Sequence, residues 1–231
     1  MNGLIESLKN QFGISFQNID LLKQAFTHGT YLHDVMHDEG TDYQRLEFLG
    51  DSVMQLMVAD FLYKSFPEWD EGQLTEARIS MVQSKSFSHF ARMAHFQDFI
   101  LLNETTKKQK FNERDNLLED IFEAFIAALY IDQGEDEVRH FLDQTIYKAF
   151  KEGYFNQFIN YKTKLQELVQ QAGKVDIQYV VTERNEEDQT KPTFTVELMI
   201  NGFKQASATA PSIKKAETKA AEIAYQELSK Q

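Results

Sequence analysis

The apolar residues of this chain change their spacing about two thirds of the way along, and that change constrains the fold more than any single residue does. Up to about residue 150 they recur at three and four: Leu4, Ile5, Leu8 and Phe12, then Leu21, Leu22, Ala25 and Phe26. Further runs at helical period cover 46–63, 74–96, 117–131 and 137–150, punctuated by Gly13, Gly29, Gly40, Pro67, Gly72 and Gly134. The pattern predicts an all-α domain. A helix is predicted over Tyr161 to Ala172, with Leu165, Leu168 and Val169 on one face and Gly173 as its stop. The period then falls to two: Ile177, Tyr179 and Val181 alternate with polar residues, as do Phe194, Val196, Leu198 and Ile200. Asn201-Gly202 predicts a hairpin turn into Phe203–Thr209, because both residues tolerate positive φ. Ser212 is the expected N-cap of a last helix ending at Leu228, with Ala216, Ala220, Ile223, Ala224 and Leu228 inward. The chain is therefore expected to be multi-domain. An all-α domain spans 1–153, with its motif-bearing core in 4–134; a linker covers 154–159; an α+β domain of order αβββα spans 160–231.

Charge divides along the same line. The net charge of the whole chain is −12. Residues 161–231 hold 10 Lys+Arg and 10 Asp+Glu, which leaves 14 basic and 26 acidic residues in 1–160, so the first part carries all of it. Overall acidity argues against diffuse nucleic-acid binding but leaves room for a local basic patch. The absence of cysteine excludes disulfides and thiolate metal sites and fits a reducing compartment, so a cytoplasmic protein is expected. No run of about 20 apolar residues is present, so no membrane span is expected.

Four acids stand out from the helical background. Glu47 and Asp51 lie in QRLEFLGDS (44–52), and Asp120 and Glu123 in LLEDIFEAFIAALYI (117–131). Spacings of i,i+4 and i,i+3 put each pair on one helix face. Gln44 and Gln55 share the first face and Phe48 lies beside it, while Leu46, Leu49, Val53, Leu56 and Met57 point away. The second helix is apolar nearly all round, and ionised carboxylates there are costly unless a cation or metal meets them. Oxygen donors without Cys, or His at ligand spacing, favour a hard ion, Mg²⁺ or Mn²⁺, able to activate water for attack on phosphorus. The plainer alternative is a pair of solvated faces bridged to Arg45, Arg78 or Arg114. A carboxylate di-iron bundle needs two Glu-x-x-His motifs, and only Glu137–His140 supplies one.

RLEFLGDS resembles the signature of bacterial ribonuclease III, the double-stranded-RNA endonuclease. The pieces FGISFQNIDLLKQAFTHGTY, EGQLTEARISMV and LLEDIFEAFIAALYIDQG are similar to that family as well. YKTKLQELVQ and SIKKAETKAAEIAY resemble parts of a double-stranded-RNA-binding domain, so the likeness covers essentially the whole chain. It implies a homodimeric, Mg²⁺-dependent endoribonuclease, for which Mn²⁺ can substitute. Such an enzyme processes rRNA precursors and structured mRNAs, and leaves 5′-phosphate and 3′-hydroxyl ends. By resemblance Glu47, Asp120 and Glu123 are metal ligands, and Asp51 and Glu123 are catalytic. Phe48 sits at the dimer junction, where ordinary core packing is the alternative, and Glu71 lies near the other subunit's centre. A noncatalytic duplex-RNA-binding protein on the same fold is the alternative function.

Three departures from the family pattern stand out. Gln44 replaces the usual Glu, which removes a charge from the acidic face. LLNETTKKQKFNERDN (101–116) lacks the usual glycine-rich segment; its Lys107, Lys108 and Lys110 either contact phosphate or lie on a solvated loop. RNEEDQTKPTF (184–194) lacks the usual Gly-Pro-x-His element and has three consecutive acids, so weak RNA affinity is expected of this domain alone. Duplex RNA is read by shape, phosphates and 2′-hydroxyls. Lys214 and Lys215 at a helix N-terminus, with Lys219 one turn on, suit phosphate. Lys164 or Gln166 on the preceding helix suits the minor groove.

Overall fold

The computed structural model describes residues 1–37, 40–155, 161–170, 175–185 and 192–229. The chain divides into two compact units, Met1–Gln157 and Phe158–Gln231. Among the described residues, no helix is long and apolar enough to cross a membrane.

The first unit is helical: α1 (Asn2–Phe12), α2 (Ile19–Ala25), α3 (Gly29–Val35), α4 (Gln44–Ser65), α5 (Glu71–Met81), α6 (Ser84–Met93), α7 (Glu104–Lys108), α8 (Asp115–Gln133), α9 (Glu135–Gln144) and α10 (Ile146–Lys151). Helix α8 is its axis. Every residue from Ile121 to Leu129 is buried, as its all-round apolar sequence predicts. It packs chiefly on α4 and α6, with α2 and α9 beside them. Phe125 meets Phe96 at 4.8 Å and Phe141 at 5.1 Å between ring centroids, an aromatic core of tilted and edge contacts. Local signals set the helix starts. Asn18 accepts the Leu21 N–H, and Asp70 and Gln73 form a reciprocal capping box.

Gly50 decides how close α4 comes to α8. A Cβ built on it would lie 1.9 Å from the Glu123 carbonyl oxygen and 2.4 Å from its carbon, so no side chain fits between the helices. The glycine of the signature thus brings Glu47 and Asp51 against the helix that carries Asp120 and Glu123.

Several expectations are corrected. The run 74–96 is two helices, because Gln83 adopts an extended conformation (φ −84°, ψ 154°) and its carbonyl accepts from Ser86 and Phe87 to start α6. The run 137–150 breaks at Thr145 (φ −121°, ψ −97°). Leu56, on the apolar side of α4 away from the acids, is 59% exposed, and Phe48 is 79% exposed, which removes core packing as its role. Segment 101–116 is more than a solvated loop: α7 is followed by a 3₁₀ turn over Phe111–Glu113. It is tied down by Asn103 donating to Asp34 and by Arg92 donating to the Glu113 carbonyl at 2.8 Å. Beyond α10, Tyr154 stacks on His89 at 4.7 Å and Phe155 is buried, so packed structure runs two residues into the expected linker. The rest of that linker lies outside the described residues.

The second unit has α11 (Tyr161–Gln170), then β1 (Ile177–Asn185), β2 (Thr193–Ile200) and β3 (Phe203–Ala210), then α12 (Ile213–Leu228). The sheet is antiparallel in the order β1-β2-β3, with Tyr179 opposite Leu198 and Val196 opposite Ala208. Asn201 and Gly202 both have positive φ, 50° and 81°, as the hairpin signal requires. Ser212 caps α12 by accepting the Lys215 N–H. Leu165, Leu198, Ala206, Ala208, Ala220, Ala221 and Ala224 form the core, and its alanines let α12 lie close on the sheet. Residues 186–191 of the expected acidic loop lie outside the described residues.

Candidate active site

The crossing of α4 and α8 brings the two acidic pairs into one electrostatic neighbourhood. Glu123 is 8% exposed. Its burial, together with the fields of Asp51, Glu119, Glu47 and Asp120, pushes its carboxyl up to about 8. Burial also raises Asp120, opposed by a hydrogen bond from Tyr43 and by His28. Glu47 is raised by burial and by Asp120, Glu119 and Asp42. Asp51 is exposed, with the Gln55 amide 3.5 Å from its Oδ1. Among the described residues, none of these four acids is ion-paired. Two of the three arginines of the solvated-face alternative are elsewhere. Arg114 lies over the Phe111 ring at 4.3 Å, and Arg78 lines an apolar cleft with Leu56 and Tyr63. Among the described residues the pocket therefore concentrates negative charge without an ion pair to any of its four acids.

The other sequence-selected residues fall in three places. Gln44 is exposed in the first turn of α4, its N–H on Asp42 Oδ1 at 3.2 Å. Glu71 is in the first turn of α5, accepts from Thr75 at 3.2 Å, and lines the cleft of Leu56 and Tyr63 rather than the acidic pocket. Phe48 stands in solvent beside that pocket on α4. In the second unit, Lys214, Lys215 and Lys219 are exposed on the first turns of α12. Gln166 is exposed on α11, whereas Lys164 is drawn over the Tyr225 ring at 5.4 Å, toward the other end of α12.

Two members of the pocket escape the sequence reading. Glu119 lies one turn before Glu123, and the i,i+4 spacing was available to find it. Tyr43 is 7% exposed and donates its hydroxyl to Asp120 Oδ2 at 2.8 Å, a contact across 77 residues that no local spacing announces.

A family profile described as Ribonuclease-III-like matches residues 18–150, more than half of the chain. The chain belongs to the ribonuclease III family. A second profile, described as Double-stranded RNA binding motif, matches residues 161–228, so both units have counterparts. The chain is 53% identical over 228 residues to Ribonuclease 3 of Oenococcus oeni, covering 99% of each. It is 47% identical over 214 residues to Ribonuclease 3 of Leuconostoc mesenteroides, covering 93% of this chain and 91% of that protein. Among solved structures it resembles the nuclease domain of ribonuclease III from Campylobacter jejuni, with TM-score 0.57 and 31% identity over 64% of this chain and 99% of that one. Flexibility in a region involved in dimer formation is described for that domain. The noncatalytic alternative draws no support from these relatives.

Membership in the ribonuclease III family carries a divalent-metal requirement. The donors fit it: several carboxylates, one of them buried, repel one another with no cation among them. Among the described residues, no three His, Asp or Glu side chains are already arranged to hold an ion.

Proposed function

We propose that this chain is a Mg²⁺-dependent endoribonuclease that cuts double-stranded RNA as a homodimer in the cytoplasm. In this reading Glu47, Asp120 and Glu123 would hold the metal, with Asp51 and Glu123 serving the reaction itself. When bound, the ion would supply Lewis-acid activation of water and of the scissile phosphate. The protein contributes position: Gly50 sets the separation of the helices, and burial keeps Glu123 in one place. Asp51, exposed on α4 and close enough for its charge to act on Glu123, would serve the reaction from the solvent side of the pocket. Lys214, Lys215 and Lys219 would hold phosphates of the duplex, and Gln166 on α11 the minor groove, so that Lys164 becomes a brace on Tyr225.

The observation that carries this reading is the burial of Glu123 where α4 crosses α8, in the field of four further acids, with no ion pair to any of them among the described residues. Such a group is stabilised when a divalent cation arrives, and a purely structural acid would have been paired. The homodimer is supported by Phe48, Leu56, Tyr63 and Ile79, all exposed apolar residues of α4 and α5. The test is incubation of the full chain with a long RNA duplex and Mg²⁺. Short duplex products with 5′-phosphate and 3′-hydroxyl ends are expected. Duplex binding without cleavage in both Mg²⁺ and Mn²⁺ overturns the proposal.

A further inference from the structure

The carboxylates of the pocket come from two helices, and one residue outside them touches both. Tyr43 directly precedes α4. Its carbonyl accepts the N–H groups of Leu46 and Glu47, each at 2.9 Å, which fixes the turn that presents Glu47. Its own N–H donates to the Thr27 carbonyl at 3.0 Å. Its hydroxyl reaches α8 and donates to Asp120 Oδ2 at 2.8 Å. The ring is braced as well: His28 lies 5.9 Å away between centroids, and Phe111 packs edge-on to His28 at 5.5 Å. His28 is itself held, since its Nδ1 accepts the Thr30 N–H at 3.1 Å. Segment 101–116, through Phe111, thus backs the wall from which the hydroxyl projects.

The chemistry of the donor matters. A Lys or Arg on Asp120 would orient it but would also cancel the charge that a cation needs. A phenol orients the carboxylate and leaves its charge in place. With Gln44 uncharged in the same turn, fewer acids remain on α4, and their orientation has more to decide.

We propose that Tyr43 is a positioning residue of the catalytic centre, holding the Asp120 carboxylate in the orientation from which it serves a divalent ion together with Glu47 and Glu123. This rests on the metal-dependent reading above, and the experiment separates the two. Mn²⁺ binding to the full chain, without RNA, is followed by loss of the free-ion EPR signal for wild type, Tyr43→Phe, Asp120→Asn and the double variant. Tyr43→Phe removes the hydroxyl and keeps the ring. It is expected to weaken Mn²⁺ binding about tenfold, the scale of an outer-shell loss. In the Asp120→Asn background it is expected to add nothing, because its only route to the ion has gone. Cleavage by Tyr43→Phe is expected to need correspondingly more Mg²⁺, with KM for RNA unchanged. A Tyr43→Phe titration that superimposes on wild type while Asp120→Asn is weakened overturns the proposal, as do additive losses in the double variant. If wild type takes up no Mn²⁺, or Asp120→Asn binds it as wild type does, the metal reading fails and this proposal falls with it.

Discussion

At the scale of single residues, the pocket is under electrostatic tension, and Glu123, the most buried of its acids, shows it most. Its ordinary value of 4.5 rises to about 8 in the folded chain. Between those values the folded state holds a proton that the unfolded state has released, so metal-free protein loses stability as pH climbs through that window. The loss across it is about 5 kcal/mol, and the burial-raised carboxyls of Glu47 and Asp120 act in the same direction. Glu123→Gln removes the main titrating group. In chelator, its unfolding temperature is expected to fall much less than that of wild type between pH 5 and pH 8, and to exceed it at pH 8. The same variant is expected to abolish cleavage while duplex affinity, measured by gel shift, stays within twofold. Equal pH sensitivity in the two proteins would place the tension elsewhere.

At the scale of elements, the two acidic helices are held at their separation by one glycine. Gly50→Ala places a methyl carbon where the Glu123 carbonyl stands, 1.9 Å from its oxygen, and both partners are backbone of long helices that cannot yield locally. A cost of about 3 kcal/mol is expected, read as a lowered urea midpoint, together with loss of cleavage. An unchanged midpoint would mean that the helices slide apart freely and that their spacing is not fixed here. The sequence announces α8 because the apolar run 121–131 is long and apolar nearly all round, and it announces β2 and β3 because Asn201-Gly202 turns one into the other, although a register shift at Leu198/Met199 that no turn signal foretells realigns the rest of the pair. It hides the breaks at Gln83 and Thr145, which carry neither Pro nor Gly and are imposed by packing. A helical wheel groups Leu56 with the buried Leu46, Val53 and Met57 and cannot tell a core face from an exposed apolar one. Gly50 itself reads only as a costly residue inside a helix until the Glu123 backbone is seen against it.

At the scale of the whole molecule, the chain is incomplete in two ways, apolar on one side and electrostatic on the other. Leu56, at 59% exposure, and Tyr63, at 73%, line a cleft of about 590 Å³ with Leu74 and Arg78, an unusual stretch of apolar surface for a chain of charge −12. A second copy covering it would account for that surface. Leu56→Glu combined with Tyr63→Glu is expected to give a folded monomer by light scattering, with far weaker cleavage; a variant that remains dimeric would place the interface elsewhere. The other deficit is charge. The first unit carries the acidity and the second is neutral in sum, so attraction to a polyanion must come from a few lysines rather than from the molecule's overall field. Lys214, Lys215 and Lys219 are exposed on the first turns of α12, where helix polarity adds to their charge. Binding of the full chain to duplex RNA is therefore expected to weaken steeply with salt. Replacing Lys214 and Lys215 by Ala is expected to reduce the slope of log K against log salt by about 2, one unit for each lost phosphate contact. The loss should be alike for duplexes of different sequence, because phosphates carry no sequence. A slope unchanged by both substitutions would mean that α12 does not face the duplex, and that the nuclease unit holds the RNA despite its own charge.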